Sequence, residues 1–211
     1  SYQLLPEVER ATLRRLAVFA GLFTMPEATG VLAQEDTDGA AAADSIANLV
    51  TKSLIVPNFE TPLPTYRLLE TTRAYALQKL EESGEHAACT QRHARQCLTA
   101  MEAANTDWDA LPPEAWLARH RHLVDDVRAA LDFSAQAEPA TAVALTVAAV
   151  PLWYQLSLLN ECYERVRRAD FMRAWRESPA VRVLFAARGA GERVVATAAG
   201  RARPVDPPAP E

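Results

Sequence analysis

The sequence is short of several things that would announce a function. No G-x-x-x-x-G-K-S/T phosphate loop occurs, and the one similar stretch, GAGERVV, lacks the lysine. A nucleotide cradled by the backbone of such a loop is therefore not expected within this chain. Cysteine is scarce, 3 in 211 residues, and no signal peptide precedes them. That argues against a disulfide scaffold and for a reducing, cytoplasmic setting. Positive charge is not in excess: the formal net charge is −5. General binders of nucleic acid or membrane surfaces are normally basic. No Ser–His–Asp or paired-carboxylate set stands apart from ordinary surface residues, so nothing supports an enzyme.

Charge is missing altogether from Pro139 to Asn160, a length that would cross a bilayer. The stretch is rich in Ala and Thr and broken by Pro151, Gln155 and Ser157. It reads as a buried helix of a soluble bundle, with no membrane partner. An initiator Met is also missing, and apolar residues start at once in SYQLLPEVERATLRRLAVFAGLF. The chain reads as part of something longer. What is present is 49% apolar and 23% charged sequence, enough for a packed core in one domain or two modest ones.

Leu13, Leu16, Ala17 and Ala20 recur at helical spacing, which predicts a first helix from about Pro6 to about Ala20. Thr24 and Glu27 are spaced as a capping box. They open a short second helix that turns Ala28, Val31 and Leu32 inward. QEDTDG is a polar turn. AAAADSIANLVTKSL, Ala40 to Leu54, then occupies the place of a recognition helix, with Ile46, Leu49 and Val50 on one face. Its outward side is expected to hold Ala41, Ala42, Ser45 and Asn48. SLIVP (Ser53 to Pro57) and TYRLL (Thr65 to Leu69) are strand-like, and NFETPLP between them supplies a loose hairpin tip. ETTRAYALQKLEESG is a helix that Gly84 stops. Helices, hairpin and further helix come in the order of a winged helix.

Beyond Gly84 the pattern is helical. Ala94, Cys97, Leu98 and Met101 form one apolar stripe; Trp116, His120, Leu123, Val127 and Leu131 form another, after the break WDALPPE. The expected fold is mainly α: a winged helix-turn-helix with a short β-hairpin at 1–84, and an α-helical, tetratricopeptide-like repeat region at 85–170. The segment 171–211 is dominated by Ala, Arg, Gly and Pro and is expected to be poorly ordered.

SYQLLPEVERATLRRLAVFAGLFTMPEA, ADSIANLVTKSLIV and YRLLETTRAYALQKLEESGE resemble the winged-helix region that follows the nucleotide-binding domain of bacterial STAND ATPases. These are predicted-ATPase transcriptional regulators, relatives of the NB-ARC switch proteins. WLARHRHLVDDVRAALDFS and AAVPLWYQLSLLNECYERVRRA resemble the opening helices of their tetratricopeptide-like sensor region. The resemblance runs from Ser1 to about Ala169 in several blocks in order, and the tail after Asp170 departs from it.

The resemblance implies a nucleotide-binding domain outside this chain that holds ADP or ATP, with the winged helix folded against it. It further implies an inducer or protein bound by the helical repeats, and a separate output domain. The NB-ARC Met-His-Asp triplet, whose His reaches ADP, is matched here by Leu68, Leu69 and Glu70. Leucine cannot donate a hydrogen bond, so that role does not pass to Leu69. Arg67, Glu70 and Arg73 remain candidate switch contacts. Glu70 could cap the following helix, and Arg73 could pair with Glu70 or face the nucleotide-binding domain.

A DNA reader neutralises phosphates with Lys and Arg and reads base edges with Arg, Lys, Asn or Gln. The recognition-helix position offers only Asn48 and Lys52, and the wing tip offers Glu60 and no base. Packing against the same protein is the stronger reading; a directly DNA-binding regulator with a helical dimerisation domain is the alternative. CTQRHARQC sets Cys89, His93 and Cys97 four apart. Residues eight apart on a helix lie roughly 12 Å apart along its axis, which excludes a three-ligand zinc site. Packed cysteines or an i, i+4 pair with ligands elsewhere remain. His120 and His122 fall on different sides of a helix.

Overall fold

The computed structural model describes residues 2–33, 39–60, 62–108, 110–158, 160, 161 and 164. The QEDTDG turn, apart from its last residue, and the poorly ordered tail expected at 171–211 lie outside the described residues, as does most of 159–170.

The first helix, α1 (Glu7–Leu16), carries Glu7 and Glu9 in its first turn and Arg14 and Arg15 in its last, the order the helix dipole favours. It stops four residues short of Ala20. The amides of Ala17, Val18 and Phe19 bond back three residues, to Arg14, Arg15 and Leu16. The Ala20 amide then donates to Oδ1 of Asp126 at 2.7 Å. A carboxylate remote in sequence thus takes the donor that would have continued the helix.

Strand β1 (Phe23–Thr24) leads into α2 (Met25–Leu32) through the expected capping box. The Glu27 amide donates to Thr24 Oγ1 at 3.4 Å, and the Thr24 amide donates to Glu27 Oε2 at 2.7 Å. Ala28, Val31 and Leu32 are buried. Helix α3 (Gly39–Thr51) buries Ala42, Ser45, Ile46 and Leu49. Ala42 and Ser45, expected outside, are therefore core residues: 42, 45, 46 and 49 share one helical face. The Ser45 hydroxyl is satisfied by the Ala41 carbonyl at 2.9 Å.

The hairpin consists of β2 (Ile55–Asn58) and β3 (Thr65–Leu68). The two-residue β1 adds to the other side of β3, making a three-stranded antiparallel sheet in the order β1-β3-β2. So short a strand has no periodicity to read. Helix α4 (Glu70–Glu82) follows, and Gly84 ends it at φ +74°. A core of Leu13, Leu16, Phe23, Val31, Ile46, Leu49 and Leu80 unites these elements, and Cys89 of α5 (His86–Thr106) joins it.

The second core is built on α5, α6 (Pro113–His120), α7 (Val124–Ala137), α8 (Pro139–Ala148) and α9 (Val150–Gln155). Every residue of the stripe from Trp116 to Leu131 is buried. Trp116 and Trp153 are fully so, each contributing on the order of 2–3 kcal/mol by area. The uncharged stretch is two helices and not one. Pro151 sits in the first turn of α9, where its missing N–H costs nothing, but it could not lie inside a continuous helix. Among the described residues no helix is long and apolar enough to cross a membrane.

The two cores are sewn together by buried and half-buried polar contacts. Asp126 accepts from the Ala20 amide and lies 3.0 Å from His93 Nε2. His122 Nε2 lies 3.1 Å from Glu27 Oε1, and Arg92 Nε donates to the Val31 carbonyl at 2.9 Å. Helices α2 and α5 approach closely at Gly30, where an added Cβ would meet the end of the Gln96 side chain.

Candidate regulatory face and cleft

The outward face of α3 comprises Ala40, Ala41, Asp44, Ala47, Asn48, Thr51 and Lys52. It is small, with one acid and one base. The base is engaged: Lys52 Nζ pairs with Glu9 Oε2, and the Glu9 side chain is 8% exposed. Leu5, just before α1, and Glu9 and Leu13 on it are spaced four apart and all buried, so an acid interrupts an apolar run, and that interruption was the available signal for the pair. Asn48 is exposed, and the one cation near it, Lys52, is the one held by Glu9. The wing tip carries Phe59 and Glu60, both exposed.

Arg67, Glu70 and Arg73 do come together. With Arg121, His122 and Asp125 they line a cleft of about 690 Å³ between the wing, the Phe19–Leu22 loop, the start of α4 and the turn before α7. Leu22, Leu69 and Val124 provide its apolar surface. Arg73 does not point freely at a partner: its Nε donates to the Phe19 carbonyl at 2.6 Å. Its link to Glu70 is long, 4.0 Å, and the Glu70 side chain is 85% exposed. The expected cap at Glu70 is not formed: Glu70 is the first residue of α4, and the N-cap position falls on Leu69, which has no side-chain cap. Leu69 itself is 44% exposed at the cleft. Arg121, His122 and Asp125 belong to this site only through tertiary packing.

His122 and Glu27 form a nearly dry pair, with side chains 6% and 11% exposed. Burial opposes ionisation of Glu27, but the His122 hydrogen bond and charge, with the Thr24 contacts, hold its pKa below the usual range. His120 turns the other way, packs against Trp116 with ring centroids 5.0 Å apart and planes tilted by 48°, and lies 3.4 Å from Asp107. Burial lowers its pKa against the pull of Asp107.

Cys89, His93 and Cys97 do not converge on one point. Cys89 lies in the first core and accepts from Arg92 at 3.0 Å, and burial raises its pKa. His93 Nε2 lies between Asp126 Oδ1 at 3.0 Å and Cys97 Sγ at 3.6 Å. Burial, with the negative charges of Asp126 and Glu27, pushes the Cys97 thiol well up, so it stays protonated. Among the described residues no three His, Cys, Asp or Glu side chains are grouped to hold a metal.

Residues 5–81 match the family described as the winged helix-turn-helix domain, in accord with the fold. The chain is similar to an HTH-type transcriptional regulator, so named, of Mycobacterium tuberculosis, with 38% identity over 163 residues. A protein of the same description in Mycobacterium bovis matches equally. These alignments take in 76% of this chain but 18% of the relative, so the chain spans less than a fifth of their length. An uncharacterized protein of M. tuberculosis is 45% identical over 94 residues, 44% of this chain and 24% of that protein. No solved structure matches significantly.

Proposed function

We propose that this chain is the regulatory winged helix and the start of the partner-sensing helical region of a STAND-type, nucleotide-switched transcriptional regulator. The winged helix packs against the protein's own nucleotide-binding domain and does not read DNA. ATP or ADP is held by that domain, outside this chain. The chain itself is no enzyme, works in the cytoplasm, and receives an inducer or protein on its tetratricopeptide-like helices. The observation that carries this reading is the outward face of α3, where alanines replace phosphate contacts and Glu9 occupies the one lysine. A neutral face of small side chains suits close approach by another backbone better than it suits a polyanion.

The alternative, a directly DNA-binding winged-helix regulator with a helical dimerisation domain, is favoured by the description of the Mycobacterium relatives as HTH-type regulators. Mobility shifts across a salt series separate the two. A reader using several phosphates loses affinity steeply with salt, whereas this chain is expected to show only weak, sequence-indifferent retention. Lys52→Gln should leave that retention unchanged. In the full-length regulator, Ala41→Trp or Ala47→Trp, both on the exposed face, should raise resting activity by preventing docking. Specific DNA binding that Lys52→Gln abolishes would reverse the assignment.

A further inference from the structure

We infer that the cleft between the wing, the start of α4 and the turn before α7 binds a peptide segment that carries a carboxylate beside an apolar side chain, with Arg67 and Arg121 as its clamp. Both arginines line the cleft, Arg67 from β3 and Arg121 from the turn before α7. Among the described residues neither side chain makes an ion pair or hydrogen bond. Every other described arginine and lysine has a carboxylate or carbonyl partner. The two unpartnered cations thus share one concavity, and its volume of about 690 Å³ falls in the usual range for a ligand site.

The lining also says which anion fits. Among the described lining residues three guanidiniums, of Arg67, Arg73 and Arg121, are matched by three carboxylates, of Glu60, Glu70 and Asp125, with no lysine. A chain of phosphates would meet those carboxylates, and a protein of net charge −5 adds to the repulsion. A single carboxylate can take a planar guanidinium fork at each side. Leu22, Leu69 and Val124 supply apolar contact for a neighbouring side chain, and the free oxygens of Glu60 can accept peptide N–H groups. The site lies on the wing and the turn before α7 and does not depend on how α3 is used.

The test uses the full chain, isotope-labelled, observed through its arginine Nε–H and backbone signals. The probes are the capped tripeptides Leu-Glu-Leu and Leu-Gln-Leu, inorganic phosphate and ADP. Leu-Glu-Leu should shift Arg67 and Arg121 saturably, and Leu-Gln-Leu should bind about ten-fold more weakly, the worth of one charge-assisted contact. Arg67→Gln and Arg121→Gln, both at exposed positions, should each weaken Leu-Glu-Leu by a similar factor, and Arg95→Gln, outside the cleft, should not. Equal binding of the two peptides would overturn the carboxylate clamp. So would tighter binding of phosphate or ADP, equal loss in Arg95→Gln, or no shift up to the solubility limit.

Discussion

Asp126→Ala removes the group on which the two cores meet, and its cost can be worked from two contacts. The side chain is 3% exposed, accepts the Ala20 amide at 2.7 Å and lies 3.0 Å from His93 Nε2, which is itself 1% exposed. Truncation leaves the half-buried Ala20 amide without its acceptor and strands the His93 imidazole, which is 1% exposed. Each hydrogen bond to a charged group is worth about 1.5–3 kcal/mol, and breaking a buried pair costs about 3–5 kcal/mol. A loss of about 4 kcal/mol is therefore expected, a large part of a typical folding free energy of roughly 5–15 kcal/mol. With a urea slope of about 2 kcal/mol/M, the midpoint should fall by about 2 M, read by tryptophan fluorescence. Asp126→Asn retains one acceptor oxygen for the Ala20 amide and should recover about half of the loss. The free thiols of Cys89 and Cys97, one in each core, supply a second assay, and both should become more reactive in Asp126→Ala. A midpoint shift below about 0.3 M would refute the claim that Asp126 joins the cores.

Acid should act through Glu85, whose hydrogen bonds to Arg15, and then Arg14, outweigh its partial burial and hold its pKa at about 2. A folded pKa below the unfolded one gives stability that is present above about pH 4.5 and is lost as pH falls towards 2. Urea midpoints of the wild type should drop more steeply through that window than those of Glu85→Gln; parallel curves would contradict the assignment. His120, its pKa lowered by burial, contributes stability above the usual histidine range near 6.5 that is lost as pH falls below it. His120→Gln should therefore flatten the stability curve between roughly pH 6.5 and 5. Gly30→Ala should change stability by less than about 1 kcal/mol, because the new Cβ meets only the far end of Gln96, which can swing away. Gly84→Ala, with nothing within 4 Å of its Cβ but φ at +74°, should lose about 1 kcal/mol from backbone strain alone, measured by thermal melting.

The sequence by itself determined the order of elements, because that information is local. The Thr24–Glu27 box, the hairpin residues, the glycine stop at Gly84 and the stripe from Trp116 to Leu131 each act within a few residues, and the structure keeps all of them. It also determined the character of α3, since a helix without cations stays without them however it packs. Tertiary structure decided what depends on distant partners. Asp126 ended α1 before Ala20, β1 existed only because β3 offered its edge, and the phase of α3 put Ala42 and Ser45 inside. The cleft shows the division most plainly. Arg67, Glu70 and Arg73 were legible as a motif, but Arg121 and Asp125 reach the same space only because the second core is fixed to the first. A charge in a sequence has no partner until the chain folds, and only then does it become plain that Lys52 is occupied while, among the described residues, the side chains of Arg67 and Arg121 are not.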